Sequence, residues 1–111
     1  MEIGEERQGA VTILRPQGPL LRADASGFKA RVGQVLGRSL GRFVIDASLI
    51  PYVDSAGLEA LLDISEDMGK SGLTLKLCAA TETVREILKI TELSNSFEQY
   101  DELNAAVRSF L

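Results

Sequence analysis

Apolar and polar positions along the chain switch repeatedly between a two-residue and a 3.6-residue rhythm. Ala10 to Pro16, AVTILRP, carries Val11, Ile13 and Leu14 and predicts a strand that Pro16 ends. The polar stretch before it, EIGEERQG, can pair as a short edge strand through a turn at Gln8-Gly9. From Asp24 to Gly41, Phe28, Val32, Val35, Leu36 and Leu40 share one helical stripe. Asp24 or Ser26 can cap that helix, and Gly41 lies just past its end. Gly27, Gly33 and Gly37 inside it each cost about 1 kcal/mol against Ala, so this helix depends on tertiary packing.

Arg42 to Ser48, RFVIDAS, has three consecutive apolar residues, the mark of a strand buried on both faces. Pro51 then breaks regular structure. From Gly57 to Gly69 the pattern is helical, with Leu58, Leu61, Leu62, Ile64, Ser65 and Met68 on one side. Glu59, Asp63, Glu66, Asp67 and Lys70 occupy the other, a solvated face rather than a cation site. LTLKLCA, Leu73 to Ala79, turns Leu73, Leu75 and Leu77 inward against Thr74 and Lys76. Val84, Ile87, Leu88 and Thr91 then recur at helical spacing behind a Thr83-x-x-Glu86 capping box. Phe97 to Tyr100 reads as a short strand or loop. Asp101 is placed to cap a last helix carrying Leu103, Ala106, Val107 and Phe110.

The resulting order, β-β-α-β-α-β-α-(β)-α, predicts an α/β fold. Its sheet is mixed but mostly parallel, of four to five strands, with an antiparallel N-terminal hairpin at one edge and about four helices. No linker, repeat or low-complexity stretch divides it, so residues 1–111 read as a single domain. A chain of this length buries roughly 65% of its unfolded surface, enough for one core without staples. With no Trp and 5% aromatic residues, that core is built from Leu, Ile and Val.

Charge and cysteine content narrow the function classes. The formal charge is −4, and the basic residues of the N-terminal half are scattered singly, which argues against direct nucleic-acid binding. Cys78 is the only cysteine, so no internal disulfide forms and a reducing compartment is expected. No apolar run approaches the ~18 residues that would suggest membrane insertion. MEIGEERQG does not resemble a signal peptide. These observations together predict a cytoplasmic protein.

Most catalytic chemistry is excluded by what is missing. The chain has no His, which removes Ser-His-Asp hydrolysis, Cys-His proteolysis and His-based metal sites. A nucleophile elbow around Ser55 needs Gly at 53, where Val53 stands. Gly69-Lys70-Ser71 ends like a phosphate-binding loop, but its first glycine position is Ile64 and it runs from helix into strand. Asp46, at the end of a buried strand, lacks the acidic pair after the first parallel strand that a Mg²⁺-dependent phosphoacceptor requires. It reads as a structural residue, and Cys78 as a small core residue. No cofactor or metal is expected.

Ser55 remains. It sits where α/β sheets place functional residues, beyond the carboxyl end of a strand and at a helix start. Its hydroxyl can be an N-cap, generally worth about 1 kcal/mol. Alternatively it can accept a phosphoryl group, whose charge of about −1.5 to −2 suits a helix N-terminus and changes the surface a partner meets. The chemistry of the residue leaves both readings open.

The stretch FVIDASLIPYVDSAGLEALLDISEDMGKSGLTLKLCAATETVREILKITEL resembles the STAS family of anti-sigma factor antagonists. The shared features are a buried strand ending at Asp46, the motif Asp54-Ser55-Ala56-Gly57-Leu58, a helix, the turn at Gly69 to Gly72, and the strand Leu73 to Cys78. The resemblance spans nearly the whole chain. It implies that Ser55 is phosphorylated by a partner that is both serine-protein kinase and anti-sigma factor. It further implies that the unphosphorylated form binds this partner and frees a sigma factor, and that a phosphatase acts on phospho-Ser55. Asp54, Ala56 and Gly57 would shape and contact the partner site. ATP and Mg²⁺ would belong to the kinase, and the antagonist would not be an enzyme. Many phosphorylated members carry Asp fourth in a Gly-x-Leu-Asp stretch; here GPLLRADA has Leu21 there, and Asp24, three residues on, is the candidate substitute. An alternative within the family is a subunit of a membrane lipid-transport or stress-sensing complex that works by contact without phosphorylation.

Overall fold

The computed structural model describes residues 1–111. Its strands are β1 (Glu2–Gln8), β2 (Val11–Gln17), β3 (Phe43–Asp46), β4 (Lys76–Cys78) and β5 (Glu98–Tyr100). The helices are α1 (Arg22–Ser39), α2 (Ser55–Gly69), α3 (Glu82–Ile90) and α4 (Leu103–Arg108), with a short 3₁₀ turn at Ser94–Ser96. One five-stranded sheet runs in the order β1-β2-β3-β4-β5. β1 and β2 form an antiparallel hairpin, and every other pairing is parallel. The expected α/β fold with an antiparallel edge is therefore present.

Because β2 to β5 are adjacent in chain order, right-handed crossovers place α1, α2 and α3 on the same face of the sheet. The main core forms there: Leu14, Phe43, Ile45, Leu75 and Leu77 from the strands meet Phe28, Val32, Val35, Leu61, Ile64, Met68, Val84 and Leu88 from the helices. The alternate strand residues Val11, Val44 and Cys78 turn to the opposite face, where Ala106 of α4 covers them. All four residues of β3 are buried, the two-sided burial its unbroken apolar run predicts.

Several local expectations are corrected. The hairpin turns at Gly9-Ala10, since Gln8 pairs with Val11; Gly9 takes a left-handed φ of 62°. Pro16 does not end its strand but pairs with Ile3, beyond Leu14–Ile45, the last residue pair that β2 shares with β3. Leu40 leaves the apolar stripe: it is the left-handed C-cap of α1, at φ 55°, and is 81% exposed. The expected strand at Leu73 to Ala79 pairs only over Lys76–Cys78, although Leu75 and Leu77 do face the core.

The helix caps also shift. Neither Asp24 nor Ser26 is the N-cap of α1; Leu21 is, and Asp24 reaches back to accept from the Leu21 N–H at 3.4 Å. Thr81, not Thr83, caps α3 by accepting from the Val84 N–H at 3.3 Å, so the Thr83–Glu86 box does not form. The last helix begins after Glu102, one residue later than Asp101 would place it.

Candidate functional site

The carboxyl ends of the parallel strands carry the loops that hold Ser55. After β3, Asp46 turns back into its own loop, accepting from the Ser48 N–H at 2.9 Å and from Arg15 Nε at 2.8 Å. Burial alone would raise the Asp46 carboxyl, but these hydrogen bonds outweigh it and hold the carboxyl below its ordinary value. The loop is then sewn to its neighbours. Gly18 N–H donates to Leu49 O, Leu20 N–H to Tyr52 O, and Asp54 N–H to Leu20 O. Thr81 Oγ1 donates to Ile50 O at 3.0 Å, tying the start of α3 to the same loop. Ile50 and Val53 anchor it in the core, while Leu49 and Tyr52 are about half exposed.

α2 begins at Ser55, two residues before the apolar pattern suggested, and its N-cap is Asp54. Asp54 Oδ1 accepts from the Gly57 N–H at 2.8 Å, the usual N-cap bond. Its other oxygen accepts from the Arg22 N–H at 2.9 Å, at the first residue of α1. One carboxylate thus satisfies orphan donors at two helix starts. The Gly57 and Arg22 N–H groups together hold the Asp54 carboxyl below its ordinary value.

With Asp54 as the cap, Ser55 is left exposed at the first helical position, free of capping duty. This settles one alternative: Ser55 is not the N-cap. Ala56 beside it is half-buried, and Gly57 is buried. A Cβ on Gly57 would lie 3.0 Å from the carbonyl carbon of Leu20 and closer still to its oxygen. Only glycine lets the loop before α1 cross the first turn of α2 at this distance.

Asp24 stands on the same end of the molecule, on another side of α1. Its carboxylate is engaged with the Leu21 N–H and with the amine of Met1 at 3.3 Å. The α1 residues that share a groove with Ala56 are instead Arg22, Ala25, Ser26 and Lys29. Arg22, Leu49 and Tyr52 escape sequence reasoning, because nothing in their local pattern distinguishes them from ordinary surface residues.

A family model for the STAS domain matches residues 3–106. The chain belongs to the STAS domain family. This STAS domain is 24% identical over 110 residues to BtrV of Bordetella bronchiseptica, a protein named as an anti-sigma factor antagonist; the match covers 99% of this chain and 95% of BtrV. Its fold superposes on a structure of that description from Thermotoga maritima with a TM-score of 0.87 and 24% identity, covering 96% of this chain and 92% of the other. It also superposes on the anti-sigma factor antagonist SpoIIAA in its unphosphorylated form, with a TM-score of 0.77 at 15% identity, covering 98% and 96% of the two chains.

The Asp54 carboxylate is committed to two backbone donors that hold it below its ordinary value, which makes it a poor base for its neighbour Ser55. Burial, with the nearby Asp46 carboxylate adding to it, pushes the Cys78 thiol up to about 12. No group of three His, Cys, Asp or Glu side chains is arranged to hold a metal ion. No helix is long and apolar enough to cross a membrane.

Proposed function

We propose that this protein is a cytoplasmic anti-sigma factor antagonist switched by phosphorylation at Ser55. In its unphosphorylated form it binds an anti-sigma factor that is also a serine-protein kinase, and so releases a sigma factor. Phosphorylation of Ser55 ends that binding, and a phosphatase restores it. The protein acts by contact rather than catalysis.

The observation that carries this reading is the division of labour at the start of α2. Asp54 does the capping, so the Ser55 hydroxyl is exposed and can be modified without removing a structural bond. A phosphoryl group there adds charge of about −1.5 to −2 to a surface whose scaffold stays in place. The names borne by its relatives agree with this reading. The contact surface centres on Ser55 and Ala56, is shaped from beneath by Asp54 and Gly57, and extends over exposed Leu49 and Tyr52. Asp24 lies at the same pole of the domain but on another side of α1, engaged with Leu21 and Met1, so it supports the start of α1 and is a weaker candidate for partner contact.

The test incubates the purified protein with a serine-protein kinase of the anti-sigma factor type from the same organism and radiolabelled ATP. Wild type accepts phosphate and Ser55→Ala does not. Equal labelling of the two proteins refutes the assignment of Ser55, and a stable complex with a transporter ATPase in place of a sigma regulator refutes the antagonist role.

A further inference from the structure

A phosphoryl group on Ser55 would arrive at a helix end that is already occupied by an anion. Asp54 has taken the Gly57 N–H of α2 and the Arg22 N–H of α1, which leaves fewer backbone donors for a phosphate at this helix start. A full positive counter-charge is available only from side chains. On the α2 side the ionisable groups are Asp54, Glu59 and Asp63, all acidic; on the α1 side they are Arg22 and Lys29. Lys29 is bound to Asp63 at 2.9 Å. Arg22 is exposed and makes no salt bridge, and with Ala25, Ser26, Ala56 and Glu59 it lines a groove of about 340 Å³ between the two helices. Its backbone is pinned to the start of α2 by the Asp54 bond, so the exposed side chain springs from a point next to the residue that precedes Ser55.

We propose that Arg22 is an intramolecular clamp for the phosphoryl group of phospho-Ser55, drawing it over Ala56 into the groove between α1 and α2. This inference rests on the reading of Ser55 as a phosphate acceptor. A planar guanidinium meets a phosphate with two parallel N–H···O bonds, a geometry that the ammonium of Lys cannot reproduce. The clamp offsets the repulsion between the phosphate and the Asp54 and Glu59 carboxylates. It also covers the half-buried Ala56 that the unmodified surface offers to a partner. Release of the partner then has two sources, added charge and an occupied groove.

The experiment installs phosphoserine at position 55 during synthesis, so that no kinase is needed. The phosphate is titrated by ³¹P NMR in the otherwise wild-type chain, in Arg22→Gln and in Arg22→Lys, with circular dichroism confirming that each is folded. A cation favours the dianion, so the clamp lowers the second phosphate pKa from its ordinary value near 6. The expected result is a pKa roughly half a unit higher in Arg22→Gln than in the parent, the scale of an exposed ion pair. Arg22→Lys falls between them, and about 1 M salt erases most of the difference. Equal phosphate pKa values in the parent and Arg22→Gln overturn the clamp. Failure of the kinase to label Ser55 would instead overturn the switch while leaving this titration unchanged, so the two failures are distinguishable.

Discussion

Replacing Gly57 by Ala sets a helix-favouring residue against a backbone collision. The added methyl would lie 3.0 Å from both the carbonyl carbon and Cγ of Leu20, where carbon atoms normally approach to about 3.5–4.0 Å. Its still closer neighbour is the Leu20 carbonyl oxygen, which belongs to the backbone and cannot rotate aside. That oxygen accepts the Asp54 N–H at 3.2 Å, so moving it loosens the residue that caps both helices. Overpacking of this kind costs about 1–3 kcal/mol, and a weakened backbone hydrogen bond adds about 1. Ala returns about 1 kcal/mol of helix propensity. The net expectation is a loss of about 2 kcal/mol, which lowers the thermal midpoint of a domain this size by roughly 6–10 °C.

Gly33 and Gly37 are the internal control. Both are exposed in the interior of α1, neither has a positive φ, and a Cβ on either would meet nothing within 4 Å. Gly33→Ala and Gly37→Ala should each raise stability by about 0.5–1 kcal/mol, a rise of a few degrees. Urea titration followed by far-UV circular dichroism, with parallel thermal scans, measures all three variants. If Gly57→Ala melts at or above wild type while the α1 variants behave as stated, then the contact with Leu20 does not constrain α2, and the reasoning fails.

Two further outcomes are expected around the same cap. Ser55→Asp weakens partner binding in a titration calorimetry experiment but shifts the melting temperature by less than about 2 °C, because the serine hydroxyl caps nothing; equal affinity for both proteins counts against an electrostatic switch. Asp54→Asn destabilises the fold at neutral pH and flattens its acid response. The folded Asp54 carboxyl lies below its ordinary 3.8, so its stabilisation is complete above the unfolded value and is lost as pH falls through the folded one. Stability measured from pH 6 down to pH 2 should fall more steeply in wild type than in Asp54→Asn, and parallel curves would contradict the assignment.

What the sequence disclosed and what it hid follow from the range of the interactions involved. Phe43, Val44 and Ile45 announce a two-sided strand because burial on both faces leaves no polar position, and Leu75 and Leu77 announce theirs by alternation. Cap positions are less legible: the cap of α2 is Asp54 where Ser55 is an open alternative, that of α3 is Thr81 rather than Thr83, and α1 starts from Leu21 rather than Asp24 or Ser26. Asp, Ser and Thr share the same capping chemistry, so local pattern cannot choose among neighbours; the loop's attachment to the sheet does. At Ser55 that small displacement bears directly on the proposed switch. As N-cap, the serine would have its oxygen engaged and modification would break a structural bond; one position later the oxygen is free, and the structural work falls to Asp54. The second bond of Asp54, to Arg22 across 32 positions of sequence, was beyond any local reading. So was the reason for Gly57, which lies in Leu20, on a different loop. The Asp-Ser-x-Gly motif is therefore two devices in one: Asp54 and Gly57 lock two loops and two helix starts together, and the intervening Ser55 and Ala56 are held outward on that fixed platform. A rigid platform of this kind lets charge be added at one atom without the fold responding, which is the physical requirement for a switch read by a partner.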